Sequence, residues 1–281
     1  MPIDLHAHTT ASDGTDTPAE LVRAAAEASI DVLALTDHDT TAGWASAVQA
    51  LPDGLTLVRG AEVSCTVEGV SMHLLAYLFD PDHPNLAAEL DRTRDDRVNR
   101  AREIVRRLAA DGHPVTWEQV LAMGEPGGVV GRPHVADALV AAGVVADRDE
   151  AFASLLHSRS PYFVSHYAPH PVDVVRLVRA AGGVVVFAHP GAHRRGATVG
   201  DDVIVSLADA GLHALEVDHP DHDPATRARL RALAGELGLL VTGSSDYHGT
   251  GKPQRLGVEQ TDPEVFAELV AQASGCELVS R

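Results

Sequence analysis

Aromatic residues make up only 4% of the 281-residue chain, and cysteine occurs twice, at Cys65 and Cys276. Two thiols cannot form a disulfide framework, so a reducing cytoplasm is the expected compartment. No run of about 18 apolar residues is present, so no transmembrane helix and no membrane partner is expected. The start, MPIDLHAHTT, lacks a basic stretch followed by an apolar one, so no secretory signal is expected either. Basic residues are scarce: 22 Lys and Arg against 40 Asp and Glu give a net charge of −18. Long nucleic acid is bound by neutralising its phosphates with Lys and Arg, and so acidic a surface repels it. The acid excess either serves solubility or offsets bound cations.

What is abundant is Ala, Val and Leu, within a hydrophobic content of 45%. Short β-branched runs alternate with helical stretches. PIDLHAHT, DVLALTD, LTLVRGAEVSCTV, VSMHLLAYLF, GVVVFAHP, HALEVDH and LLVTGSSDYHG read as strands. Thr17 and Pro18 mark the start of the first helix as its cap and first residue. Roughly seven strands alternating with helices argue for an α/β fold with a parallel sheet, closed or nearly closed into a barrel. The rhythm breaks between residues 93 and 167, where an Arg-rich helix is followed by short helices and Pro- and Gly-rich joints such as GEPGG. Residues 1–92 and 168–281 are expected to form the barrel. Residues 93–167 are expected to form a small helical insertion contributing to the substrate site.

The strand ends carry the chemistry. His6 and His8, one residue apart, leave the same face of the first strand. The second strand ends in Asp37-His38-Asp39, where the His can be a metal ligand, a general base or part of a capping turn. Glu62 and His73 lie on the third and fourth; His189, then Glu216, Asp218 and His219, then Asp246 and His248 close the later ones. So many carboxylates at one barrel mouth could not all stay ionised without cations. Mixed imidazole and carboxylate ligands suit Zn, Mn or Fe better than Mg or Ca.

These residues resemble a known family. DLHAHTTASDG, LALTDHDT, GAEVS, MHLLAY, AHPG, LEV and TGSSDYHG look like the motifs of the PHP (polymerase and histidinol phosphatase) family. GRPHVADALV in the insertion resembles the branch that dephosphorylates nucleoside 3′,5′-bisphosphates and trims short RNA from the 5′ end. The resemblance implies a distorted (β/α)7 PHP barrel with two to three divalent ions of Mn, Fe or Zn. His6, His8, Glu62 and Asp246 would hold the first ion, and Glu62 would bridge to a second held by His73 and His189. Asp13, His38 and His248 would hold the third, with Asp37 and Asp39 orienting the His38 ring and Asp37 counted, with Arg132, His134 and His219, among the candidate catalytic residues. Asp13 stands where other branches carry His.

The implied activity is hydrolysis of phosphomonoesters of small nucleotides through a metal-bridged hydroxide. Arg132 and His134 are expected to bind the substrate phosphate, because the guanidinium fork matches its oxygens. His219 is a candidate donor to the leaving oxygen, equally consistent with a structural role. The arginines at 92–107 alternate with Asp95, Asp96 and Glu103, which reads as a solvated ion-paired face, although Arg97 and Arg100 would be near enough to reach a phosphate. The alternatives are a histidinol-phosphate phosphatase, which would not need GRPH, and a non-catalytic PHP module, which would show eroded ligands. No obligate protein partner is expected. Two segments depart from the branch: AHRRG after AHPG, and HSRSPYFVSHYAP, which lacks a Gly-Lys-rich form before YAP.

Overall fold

The computed structural model describes residues 1–125, 128–193 and 197–281. Arg194, Arg195 and Gly196 of the AHRRG departure, and Pro126 and Gly127 of the GEPGG joint, lie outside these residues. The first half of the barrel runs β1 (Ile3–Asp4), α1 (Pro18–Glu27), β2 (Val32–Leu35), α2 (Trp44–Ala50), β3 (Thr56–Val67) and β4 (Val70–Tyr77). The helices α3 (Pro84–Ala110), α4 (Trp117–Leu121), α5 (Arg132–Ala141), α6 (Arg148–Ser154) and α7 (Pro171–Ala180) follow. The α/β rhythm then resumes with β5 (Val184–Phe187), α8 (Asp201–Ala210), β6 (Ala214–Asp218), α9 (Pro224–Leu237), β7 (Leu240–Gly243), α10 (Pro263–Ala271) and β8 (Val279–Ser280).

The strands follow one another in sheet order β1 to β7, with β8 added beside β3. The expectation of a parallel sheet holds except at β8, antiparallel to β3, and at β4, which runs antiparallel to both β3 and β5. The reason at β4 is local. Only Glu68 and Gly69 join β3 to β4, both with positive φ, and so short a link permits a hairpin but no parallel crossover. The mouth of the barrel therefore receives the C-terminal ends of the parallel strands and the N-terminal half of β4.

Alternation within strands divides the apolar residues. Val32 and Ala34 of β2 and Val184 and Val186 of β5 pack in an inner cluster with Val58, Leu75 and Tyr77. Leu33, Leu35, Val185 and Phe187 face the surrounding helices. Tyr77 reaches across the interior, its hydroxyl donating to the Leu5 carbonyl at 2.7 Å. A separate cluster, including Ala101, Ile104, Leu108, Val135 and Leu139, binds α3 to α5. α3 is unbroken at residue 92, so the boundary read from the sequence falls inside one helix. Thr17 caps α1 in a reciprocal pair with Glu20, with Pro18 at its start, as its sequence indicates.

β1 is regular for only two residues, and the seam between β1 and β7 is closed by other means. Ala7 pairs with Tyr247 beyond the ends of both strands. Buried Asp4 accepts from the Ser245 amide at 3.0 Å and the Gly257 amide at 2.8 Å. Replacing Asp4 by Ala removes the acceptor from both amides and should lower the unfolding free energy by about 2–4 kcal/mol, measured by urea titration. Unchanged stability would show that the Ala7–Tyr247 pairing closes the seam alone.

Candidate metal centre

Glu62 lies midway along β3, where the backbone after β2 pairs with it: the Glu62 amide donates to the Thr36 carbonyl, and the Asp39 amide donates to the Glu62 carbonyl at 3.0 Å. This pairing brings the TDHD turn beside the carboxylate. Glu62 Oε1 lies 2.9 Å from His73 Nδ1 and 3.0 Å from His189 Nε2. Its Oε2 lies 3.0 Å from His8 Nε2, 3.1 Å from His6 Nε2 and 3.3 Å from His38 Nδ1. Burial opposes ionisation of this carboxyl, but His38, His73 and His6 outweigh it and hold it well below the usual range.

Asp246, in left-handed backbone at φ 52°, brings Oδ1 to 3.4 Å from His6 Nε2 and 3.5 Å from His8 Nε2. Asp13 approaches His248 Nε2 at 3.4 Å, His8 Nδ1 at 3.5 Å and His38 Nε2 at 3.7 Å. All nine expected ligands thus lie in one connected group. Their division differs from the expectation: His8 groups with Asp13 and His38 as well as with His6, Glu62 and Asp246. His38 stands between two sets, with Nδ1 toward Glu62 and Nε2 toward Asp13, and its ligand atom can join Glu62 and His73 as readily as His8 and Asp13.

The aspartates flanking His38 do not orient its ring. Asp37 accepts from the Thr9 amide at 2.8 Å, the Thr9 hydroxyl at 2.7 Å and the Ser12 hydroxyl at 2.6 Å. Burial still raises its carboxyl above the ordinary range. Asp39, at φ 54°, accepts from the Ser64 amide at 2.7 Å and hydroxyl at 2.8 Å, and lies 2.9 Å from Arg97 Nε. These carboxylates brace the loop bearing His8 and Asp13 and the strand bearing Glu62. Asp37, expected to be catalytic, has its oxygens taken up by backbone and hydroxyl donors.

Glu216 was visible at a strand end but had no role assigned from the sequence. It lies 2.9 Å from His6 Nδ1 and accepts from the His189 amide at 2.7 Å and from the Ser244 hydroxyl. Burial opposes its ionisation, yet His6 outweighs that and keeps the carboxylate charged. Lys252, which nothing in GTGKP singled out, donates to Asp246 Oδ2 at 2.7 Å. His219 is fully buried, and its Nδ1 accepts from the Asp221 amide at 3.0 Å. Its ring proton therefore sits on Nε2, 3.5 Å from Asp246 Oδ2. That Nε2 is buried beside the Asp246 carboxylate without hydrogen-bonding geometry.

Beside the donor group lies a cationic one. Arg97 and Arg100, one helical turn apart on α3, are buried, contrary to the reading of this helix as an ion-paired face. That reading does describe Arg94 with Asp91, and Arg106 and Arg107 with Glu103. Arg97 donates to Ser64 Oγ at 2.9 Å, next to the register position of His73. Arg132 begins α5, donates to the Leu156 carbonyl at 3.2 Å, and stacks 5.5 Å from the Phe152 ring. Burial followed by repulsion from Arg97 lowers its affinity for a proton. Among the described residues, neither Arg100 nor Arg132 has a carboxylate partner within 4.0 Å. His134 Nδ1 accepts from the Gly131 amide at 3.2 Å, so its ring caps the helix that presents Arg132.

The donor set fits divalent metal ions. Ligand atoms of His6, His8, Glu62 and Asp246 all lie within 4.8 Å of one another, as do those of His8, Asp13 and His38, and those of His38, Glu62 and His73. His38 Nδ1 and His73 Nδ1 are buried and close to Glu62 without hydrogen-bonding geometry. Convergence without bonding is the relation between ligand atoms that share an ion, and imidazole with carboxylate suits a borderline transition metal. These clusters can bind metal ions. His73 is the most open of them, its side chain 22% exposed.

Residues 4–91 match the PHP domain family. Over 254 residues the chain is 34% identical to the 3′,5′-nucleoside bisphosphate phosphatase of Chromobacterium violaceum, covering 90% of this chain and 89% of that one. It is 34% identical over 247 residues to a 5′-3′ exoribonuclease of Haemophilus influenzae, covering 87% and 89%. The crystal structure of a proposed metal-dependent phosphoesterase from Bifidobacterium adolescentis superposes with a TM-score of 0.92 at 40% identity, covering 97% of this chain and 96% of that one. With its histidines and carboxylates gathered at one barrel mouth and full-length relatives of this kind, the chain belongs to the PHP family.

Proposed function

We propose that the protein is a phosphoester hydrolase that removes phosphate from small nucleotides of the nucleoside 3′,5′-bisphosphate type and from short RNA 5′ ends. The observation that carries this reading is the pairing of a metal-binding donor group with two guanidiniums that lack carboxylate partners among the described residues, buried Arg100 and half-buried Arg132. A histidine- and carboxylate-lined mouth alone fits many metal-dependent hydrolases. A neighbouring set of buried cations calls for a compact multivalent anion, and a phosphate monoester is one. Similarity to a bisphosphate phosphatase and to an exoribonuclease supports the nucleotide class.

The ions are proposed to be two or three, of Mn, Fe or Zn. His6, His8, Glu62 and Asp246 would hold one, Glu62, His73 and His189 a second, and Asp13, His38 and His248 a third. When bound, such ions act as Lewis acids on phosphoryl oxygens and lower the pKa of water. The chain's own residues do the rest. Arg100 and Arg132, with Arg97 beside them, are proposed to hold the phosphate oxygens facing away from the donor group. Asp39 and Ser64 fix Arg97 against β3, and His134 fixes the start of α5, so the fork of Arg132 is aimed before substrate arrives. Insertion residues 93–167 thereby supply the anion contacts and the barrel supplies the ligands.

Purified enzyme loaded with Mn should release phosphate from adenosine 3′,5′-bisphosphate and nucleotides from short 5′-phosphorylated RNA. No release from either substrate, in enzyme shown to carry metal, would overturn the reading.

His38 and Arg132 should fail differently. His38→Ala should lower metal content and depress kcat by on the order of 10²-fold or more, since activation and charge stabilisation suffer together. Arg132→Ala should keep its metal and lose about 2–4 kcal/mol in kcat/KM, with Arg132→Lys recovering only part. Metal analysis and steady-state kinetics on the three variants decide it, and a wild-type kcat/KM for Arg132→Ala would misplace the phosphate pocket. Glu216→Ala, which frees the His6 ring, should weaken metal affinity by about 10- to 100-fold in a chelator competition. Unchanged affinity would show that His6 needs no support from β6.

A further inference from the structure

We propose that His166 is a positioning residue for phosphate recognition, acting through Arg100: its neutral imidazole is the acceptor that fixes the guanidinium beside the metal centre. The proposal rests on the reading of the arginine group as the phosphate site. His166 lies in SHYAP, the segment that departs from the branch pattern, and no chemistry was expected of it from the sequence.

Arg100 is buried on α3, and its single hydrogen bond among the described residues runs from Nη1 to His166 Nδ1 at 2.9 Å. Its Nε is buried with no partner. A guanidinium has no lone pair to offer, so His166 must accept, and an imidazole accepts only when neutral. Its surroundings enforce that state: burial, then Arg100, Arg97 and Arg132, push its pKa down to about 2. A carboxylate at this place would bind Arg100 more tightly. It would also cancel the charge needed for a substrate anion. A neutral acceptor holds the guanidinium plane and leaves the full positive charge, with Nε–H uncommitted, for phosphate.

The segment that carries His166 is itself tied to α3. The Tyr167 amide donates to Asp96 at 2.6 Å, its hydroxyl donates to Glu89 at 2.6 Å, and Arg92 stacks 3.5 Å from its ring. The imidazole is therefore held against the same helix that bears Arg100, and the pair moves as one unit.

The test uses full-length, metal-loaded enzyme, with inorganic phosphate binding by calorimetry and kinetics on adenosine 3′,5′-bisphosphate as parallel readouts. His166→Ala should weaken phosphate binding and raise KM by about 10-fold while kcat stays within about threefold. His166→Gln, which offers an amide oxygen, should recover most of the loss. His166→Glu should bind phosphate more weakly than His166→Ala, because it neutralises Arg100. In the Arg100→Ala background, His166→Ala should have no further effect. If Arg100→Ala binds phosphate as the parent does, the reading of the arginine group fails. If Arg100→Ala is impaired but His166→Ala and His166→Glu both bind phosphate normally, the proposal alone fails. If His166→Ala does not fold, the comparison of His166→Gln with His166→Glu carries the decision, and equal phosphate affinity in those two overturns it.

Discussion

The burial of one carboxylate governs the architecture of this barrel mouth. Glu62 is 1% exposed and touches imidazoles from five separate positions, His6, His8, His38, His73 and His189. An ionised carboxylate taken out of water is costly unless opposite charge surrounds it. The neighbours of β3 meet that demand: β2 runs parallel and delivers His38 from one side, while β4 turns back antiparallel and delivers His73 from the other. The change of direction at β4 lets a residue near the beginning of a strand share a site with residues beyond the ends of others.

Around this centre, polar residues that touch no substrate hold the ones that would. Asp37 collects donors from Thr9 and Ser12, Asp39 from Ser64, and Glu216 fixes His6 while accepting the His189 amide. Asp39, His189 and Asp246 all have positive φ, a conformation that non-glycine residues adopt only where surrounding structure imposes it. Ligand geometry is thereby set by the protein rather than left to the ion, the condition for selective and fast metal chemistry.

The convergence of the candidate ligands was legible in the sequence because each sits in a short motif at a strand end, as with the one-residue spacing of His6 and His8. Their exact grouping was not, since His38 faces two sets at once and only the packing of the loops decides which. The roles of Asp37 and Asp39 were misread for a related reason. Adjacency in sequence to His38 suggested contact, but Asp37 turns to the loop of Thr9 and Ser12, and Asp39, in left-handed backbone, turns to Ser64 and Arg97. The antiparallel β4 was foreshadowed by the Glu68-Gly69 link. Arg97 and Arg100 looked like part of a solvated charge pattern because arginines and carboxylates alternate along the whole of α3, and nothing in the helix alone shows which stripe turns inward.

That stripe has a consequence for how such an enzyme can diverge. α3 is a single rod of 27 residues, rooted beside the barrel at Pro84 and packed into the insertion core through Ile104 and Leu108. A helix turns by about 100° per residue, so adding or removing one residue before Arg97 would swing both arginines away from the mouth and unseat the insertion core in the same stroke. Substrate preference can therefore drift by exchanging side chains along the inward stripe or by remodelling the segment around His166. It cannot drift by small changes in the length of the helix, which works as a ruler as well as a wall.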